Sequence, residues 1–421
     1  MSNRIVFYDH MRAHLIAFVA ALFCGYQVYM QAAPGSMVNE LMSGLHIDLA
    51  GVGFLASCLS YSYLLFQMPA GHLLDRFGCK KLLPLAILSI ASGSLLMAFS
   101  DNLWQASLGR VVMGAGSAFA IVGSFLLASE WYAACWFPLL AGLFEMTGMA
   151  GGVGATTILP AMVNVFGWRT GMIINAVAGV GLAIAVFIVV CGGKPLAVAD
   201  DASEVNNGFQ HPVFRTLLLN ALYGLCMFGM VSVFAMLWGL PFLETLYPDN
   251  QSAAGMGLAC MYLFIALGAV CSGWVAGVIN QCRILMMAGA FVALNSLIII
   301  LYVSMPLSIM VLMLSLFGFA SGCYSLAFIQ SRQIAPARKL GQMMAVINGS
   351  MLIAGILFQP LIGWLLDQQL SSGHTLDVAH FQIALSPLVF LLLLALLVAG
   401  LSKDPLPVEY CGMDVNDKEI V

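Results

Sequence analysis

Twelve apolar stretches, each long enough to cross a bilayer as a helix, run through this chain with only short polar breaks between them. A hydrocarbon core about 30 Å thick is spanned by about 20 mainly apolar helical residues. Breaks at Gly, Pro, Asn and charged clusters place the stretches near 13–33, 50–71, 82–100, 103–128, 136–162 and 170–191. A second set falls near 213–243, 253–279, 284–303, 307–331, 341–366 and 380–401. The apolar runs are continuous, whereas an outer-membrane barrel shows short segments of alternating polarity. Only 8% of the 421 residues are charged, against about 25% in a soluble domain. So few ions cannot cover a water-exposed surface, which excludes a soluble enzyme, a nucleic-acid binder and a disordered chain.

The expected fold class is therefore an all-α membrane protein with twelve transmembrane helices in a 6+6 arrangement. Residues 1–191 form the N-terminal half, 192–212 a linker holding Lys194, Asp200, Asp201 and Glu204, 213–402 the C-terminal half, and 403–421 a tail. The cations fix an orientation. With the N-terminus cytoplasmic, the inner loops and tails hold Arg4, Arg12, Arg76, Lys80, Lys81, Lys194, Arg215, Arg283, Arg332, Arg338, Lys339, Lys403 and Lys418. That is 13 of 15, with Arg169 alone outside and Arg110 inside a helix. By the positive-inside rule both termini are cytoplasmic. Arg4 and Arg12 before an apolar run that ends at Gln31-Ala32-Ala33 also imitate a signal peptide. Cleavage there would leave eleven spans and break the charge pattern.

The eleven cysteines lie mostly within apolar runs and form no C-x-x-C pair, so they read as small packing residues. The seven histidines are scattered, and neither a metal nor a cofactor is expected. No P-loop occurs, since Gly114-x-Gly116 lacks a preceding strand and a Gly-Lys-Ser/Thr.

Between the second and third stretches lies Gly71-His72-Leu73-Leu74-Asp75-Arg76-Phe77-Gly78-Cys79-Lys80-Lys81. It fits a tight cytoplasmic turn, in which Gly71 and Gly78 let the backbone bend and approach a neighbour. Asp75 suits the positive N-terminal end of another helix. In the fourth stretch, Arg110 stands in an apolar helix at a penalty of ~2.5–3.5 kcal/mol, so it should face the bundle interior and find a partner. The other deep ion is Glu145, about nine residues from Trp136, or ~14 Å at 1.5 Å per residue. The two levels differ by only ~6 Å across the ~30 Å core. An Arg110–Glu145 pair is expected, either as a structural salt bridge or as a group whose protonation changes during function.

The turn G-x-L-x-D-R-x-G-x-K-K and the run Arg110-x-x-x-Gly114-x-Gly116-x-Ala118 resemble the signatures of the major facilitator superfamily, over a chain with that family's twelve spans in two halves. The resemblance implies a pseudo-symmetric carrier in which Gly71, Asp75, Arg76, Gly78, Lys80, Lys81 and Glu130 form a cytoplasmic gate, with Asp75 near the start of span eleven around Gly341. The counterpart in the second half, Gly273 to Arg283, has Gly277 where Asp75 stands, so its latch should be weaker. Span five keeps Gly151-Gly152 of the family's antiporter pattern but lacks its Pro, which speaks against a drug exporter.

A substrate site is expected near the midplane between the halves. Candidate lining residues are Tyr26, Gln27, Tyr29, Tyr61, Asn220, Tyr223, Tyr262, Tyr324 and Asn348. Each is also an ordinary helix-packing residue in the bland reading. Tyr26 and Tyr29 share a face, and tyrosine joins an apolar ring to a hydroxyl. Arg110 is the candidate for charge recognition and Glu145 for coupling. The expected function is secondary transport by alternating access, as uptake of a small organic solute (an organic anion, amino-acid-like compound or peptide). Uptake would be coupled to protons or run by facilitated diffusion, with a drug or metabolite exporter as the alternative. No nucleophile or metal cluster suggests an enzyme. The expected partners are the solute, protons and membrane lipid but no nucleic acid, for a monomer in a bacterial inner membrane.

Overall fold

The computed structural model describes residues 2–132, 136–190, 211–279, 281–334, 340–370 and 377–403. The side chains of 2–10, 75, 137, 138, 211, 212, 251, 252, 340 and 341 lie outside the description. So do most of the linker expected at 192–212 and the tail from 404, with Arg4, Lys194, Arg338, Lys339 and Lys418.

Twelve helices are long and apolar enough to cross a membrane: α1 Met11–Ser36, α2 Leu49–Leu74, α3 Cys79–Ala98, α4 Leu103–Trp131, α5 Leu139–Phe166, α6 Trp168–Val189, α7 Val213–Leu246, α8 Ala253–Ile279, α9 Cys282–Tyr302, α10 Leu307–Ile334, α11 Gln342–Leu370 and α12 Val378–Leu401. With every backbone polar group satisfied within its own segment, helices suit a lipid surround. The starts of three are sealed by their own side chains. Asp48 accepts from the Gly51 N–H at 2.7 Å, Asn102 from Gln105 N–H at 3.0 Å, and Asp377 from His380 N–H at 3.0 Å, each pairing an otherwise orphaned donor. The α2–α3 and α5–α6 turns both pivot on a glycine in the left-handed region, Gly78 at φ +78° and Gly167 at φ +77°. These two residues mark the opposite ends of the bundle. Between α1 and α2 the chain adds a short helix, Val38–Leu45.

Helix irregularities recur every third span. A 3₁₀ turn at Ala33–Ser36 ends α1, a break at Ala118 divides α4, a π-helix over Met230–Trp238 interrupts α7, and a 3₁₀ turn at Gly322–Ser325 interrupts α10. The packing repeats in the same way. In the first half α1 packs on α5, α2 on α4 and α3 on α6. In the second half α7 packs on α11, α8 on α10 and α9 on α12. Between the halves, α2 lies against α11 and α5 against α8. This is the pseudo-symmetric 6+6 arrangement expected from the sequence.

The halves meet at backbone range toward the Gly167 end. A Cβ on Gly35 would strike the Met236 carbonyl, one on Gly53 the Gln359 carbonyl, and one on Gly363 the Leu49 carbonyl. Farther toward the Gly78 end the facing positions loosen. Gly152 and Thr156 of α5 are buried, whereas Ala141 and Glu145 are only partly so, as are Ser325 and Phe328 of α10. The bundle is thus closed at the Gly167 end and less tightly packed at the other. Among the cysteines, Cys24, Cys58, Cys79, Cys226, Cys282 and Cys323 are buried as small packing groups, while Cys271 is exposed.

Candidate functional site

Two ions lie more than one turn from the end of any span, Arg110 in α4 and Glu145 in α5. The structure does not pair them, which corrects the expected salt bridge. Arg110 is fully buried and gives Nη1 to the Met30 carbonyl at 2.7 Å, and Nη2 to the carbonyls of Gln31 at 3.1 Å and Ala56 at 3.3 Å. Met30 and Gln31 end the α-helical part of α1, where the last carbonyls have no intrahelical partner and carry the negative end of the helix dipole. The guanidinium therefore seals a helix end and ties α1 and α2 to α4. The depth arithmetic fixes a level along the membrane normal, but it leaves the direction around the helix open. Arg110 faces α1 and α2, while Glu145 faces the other half.

Glu145 Oε2 accepts from the Tyr324 hydroxyl at 2.9 Å, a bond from α5 to α10 across the two halves. Tyr324 is buried and meets the Phe228 ring of α7 edge-on at 5.2 Å. The buried Tyr63 of α2 lies beside Asn348 of α11 across the halves. The Asn348 Nδ2 group is left with no partner, and so is the buried hydroxyl of Tyr262. The Tyr262 ring lies where a Cβ on Gly152 would stand. Gly152 is seven residues from Glu145, ~10 Å along α5. Buried polar atoms are normally paired, so the two unpaired donors, one at the α5–α8 contact and one on α11 facing α2, amount to spare hydrogen-bonding capacity between the halves.

Other expected lining residues face elsewhere. Tyr26 donates to the Asn175 carbonyl at 3.0 Å and Tyr29 to Asn175 Oδ1 at 3.2 Å, both on α6 within the first half. Tyr223 donates to the Met286 carbonyl of α9 at 3.1 Å, and Asn220 to Ser331 Oγ of α10 at 2.8 Å. Gln27 bonds Gln31, one turn on along α1, at 2.9 Å. Tyr61 is exposed, as are Leu65 and Met68 farther along α2. Tyrosines near the middle of a span have a choice of four or five neighbours, and these four took partners away from the half interface or, for Tyr61, none in it. Tyr63, two residues from Tyr61 and so on a different face, is the one at the seam. The sequence alone could separate them only by the helical angle to Ser60 and Gln67, which are also buried.

At the Gly78 end, the turn bends as expected, and Gly78 needs its positive φ. Gly71 makes no close approach, since a Cβ there would meet only Val122 at 4.0 Å. Arg76 is exposed and stacks over the neighbouring Phe77 ring at 5.3 Å, so among the described residues it forms no ion pair with the half-buried Glu130. Lys80 lies over the Phe187 ring at 5.9 Å and Lys81 is exposed. The Asp75 side chain and the region around Gly341 fall outside the described side chains, so the latch proposed for them is not observed. In the fourth span, Gly114 admits the Leu59 carbonyl of α2 and Gly116 the Ala86 carbonyl of α3, which gives both motif glycines a packing role.

A family model described as Major Facilitator Superfamily matches residues 16–359. A probable L-galactonate transporter of Escherichia coli (strain K12) is 26% identical over 278 residues, covering 62% of this chain and 60% of that protein. The match thus spans about three fifths of the relative's length. Among solved structures, a D-xylose-proton symporter superposes with a TM-score of 0.75 at 14% identity, covering 93% of this chain and 98% of that one. A bacterial homologue of the human lysosomal transporter Spinster, in an inward-facing and unoccupied conformation, gives 0.74 at 14%, covering 93% and 96%. At such identity these two likenesses speak for the fold alone. With twelve spans in two repeated halves and a family match over most of its length, the chain belongs to the Major Facilitator Superfamily and is a multi-pass membrane transporter rather than an enzyme.

Proposed function

We propose that the chain takes up a small polyhydroxylated organic acid together with protons, with Glu145 as the coupling group. The Glu145–Tyr324 bond carries this reading, because it joins the two halves through the one acid deep in the spans. A hydrogen bond to an ionised carboxylate is roughly twice as strong as one between neutral groups. Protonation of Glu145 therefore weakens a tie between halves that must separate, and deprotonation restores it. Proton occupancy and the rocking of the halves are linked through that one contact.

Tyr262 O–H and Asn348 Nδ2–H, unpaired where the halves face each other, are the donors proposed to meet a solute's oxygens. Arg110 gives both Nη groups to backbone carbonyls of its own half, which favours neutral donors over Arg110 for recognising the solute. The sugar-acid class is supported by the relative named for L-galactonate. The Gly78 end is assigned to the cytoplasm. Arg12, Arg76, Lys80, Lys81, Arg215, Arg283, Arg332 and Lys403 all lie there, against Arg169 at the other end. The Gly167 end, where the halves touch backbone to backbone, is then the outer side.

Purified protein in liposomes loaded at neutral pH and placed in acidic buffer should accumulate a labelled aldonate above its equilibrium level, and a protonophore should abolish the accumulation. Accumulation driven instead from the Gly78 side in inverted vesicles would identify an exporter. Equilibration without accumulation would identify facilitated diffusion.

A further inference from the structure

Asp367, three residues from the end of α11, reaches across to the other half of the protein. Its Oδ1 accepts from the Leu49 N–H at 3.1 Å and its Oδ2 from the Ala50 N–H at 2.6 Å. Both donors belong to the first turn of α2, where backbone N–H groups have no partner within the helix and the helix dipole is positive. Asp48, on the same chain segment as α2, takes the next amide, that of Gly51. One helix end is thus sealed jointly by an acid of its own half and an acid of the opposite half. Just below the contact, α2 and α11 touch backbone to backbone, with the Leu49 carbonyl against Gly363 and the Gln359 carbonyl against Gly53. Asp367 sits at the tip of that seam and is only partly buried.

A charge-assisted contact that uses both carboxylate oxygens, between halves that separate at this end when the carrier opens, acts on the conformational equilibrium. Breaking it leaves two amides and a carboxylate to find water instead. We infer that Asp367 is the latch of the state closed at the Gly167 end, a positioning residue that sets how much of the protein faces each side. The antiparallel pairing of α2 and α11 gives it a counterpart by position. Asp75 follows the last residue of α2 at the Gly78 end, the end at which α11 begins. Each helix then carries an acid near its C-terminus, at the end of the bundle where the other starts.

The inference rests on the alternating-access reading, but its test reads conformation and needs no transport. Hydrogen–deuterium exchange with mass spectrometry on the full-length protein in nanodiscs compares the wild type with Asp367→Asn and Gly363→Ala. Gly363→Ala wedges the same seam without touching the carboxylate. The expected result in both is an exchange rate at residues 49–56 raised about tenfold, the change that loss of one charge-assisted bond would give. At the same time exchange at 141–146 and 325–331, near the opposite end, should fall as that end closes. A rise confined to 49–53 with the far end unchanged would reduce Asp367 to a helix cap and overturn the latch, as would no change at all. If Asp367→Asn fails to fold, Asp367→Ser, which also removes the charge, decides between the same two outcomes. Failure of alternation itself would look different: wild-type exchange at both ends would stay fixed when a saturating aldonate or a pH step is applied, and that too overturns the latch.

Discussion

The Tyr324 hydroxyl donates to Glu145 Oε2 at 2.9 Å and joins the tenth span to the fifth across the two halves of the molecule. Arg110, the other deep ion, stays within its own half, bonded to three backbone carbonyls. One ion holds a half together and the other spans the seam between halves. The proposed division gives a structural role to the first and the coupling role to the second.

Arg110→Met should lower stability by ~2 kcal/mol or more, because it removes hydrogen bonds from a charged donor and leaves the carbonyls of Met30, Gln31 and Ala56 short of partners. Thermal unfolding of the purified variant reads the loss as a lower melting temperature. Solute affinity in the folded fraction should be unchanged. A variant that melts like the wild type but no longer binds solute would restore Arg110 to the substrate site.

Two tyrosines separate packing from the seam. Tyr26→Phe deletes one bond to the Asn175 carbonyl, worth ~1 kcal/mol of stability, and should leave the uptake KM unaltered. Tyr63→Phe removes the hydroxyl beside Asn348 at the seam between the halves and should change uptake kinetics about tenfold, the equivalent of ~1.4 kcal/mol. Initial-rate uptake in liposomes compares them directly. Equal kinetic effects would mean that the seam assignment is wrong.

Glycines at close approach should behave differently from glycines in open space. Gly53→Ala places a methyl group against the Gln359 carbonyl, an overpacking worth ~1–3 kcal/mol. Gly71→Ala meets only Val122 at 4.0 Å and trades a flexible residue for a better helix former, a gain of up to ~1 kcal/mol. Melting temperatures should therefore move in opposite directions. A large loss at Gly71 would point to a contact made only in the state closed at the Gly78 end.

The spans were legible because hydrophobic length is a property of sequence alone. Met11–Ser36 and Val378–Leu401 lie within a few residues of the apolar runs that foretold them. The 6+6 division was equally plain from the polar stretch between them. Side-chain partners were not, for a geometric reason. Residue spacing gives depth at 1.5 Å per residue, but which neighbour a side chain meets depends on the rotation of each helix in the bundle. Depth put Arg110 and Glu145 at one level, and rotation sent them to different neighbours. The same uncertainty left Tyr61 and its near neighbour Tyr63 equally eligible, and only Tyr63 faces the other half. The short helix Val38–Leu45 and the π-helix Met230–Trp238 carry little sequence signal, since a single extra residue in a turn leaves the apolar run unbroken. Asp367 could be seen as a charge near a span end, but its partners are the amides of a helix start in the other half, which no side-chain pattern marks.

The most direct test of the account is proton-driven uptake by Glu145→Gln in liposomes, measured beside solute counterflow in the same preparation. The variant keeps the size of the side chain and an oxygen for Tyr324, but it cannot gain or lose a proton. The account predicts that a pH gradient no longer drives accumulation, while counterflow persists at a rate within a few-fold of wild type. Accumulation that still follows the pH gradient in Glu145→Gln would contradict it.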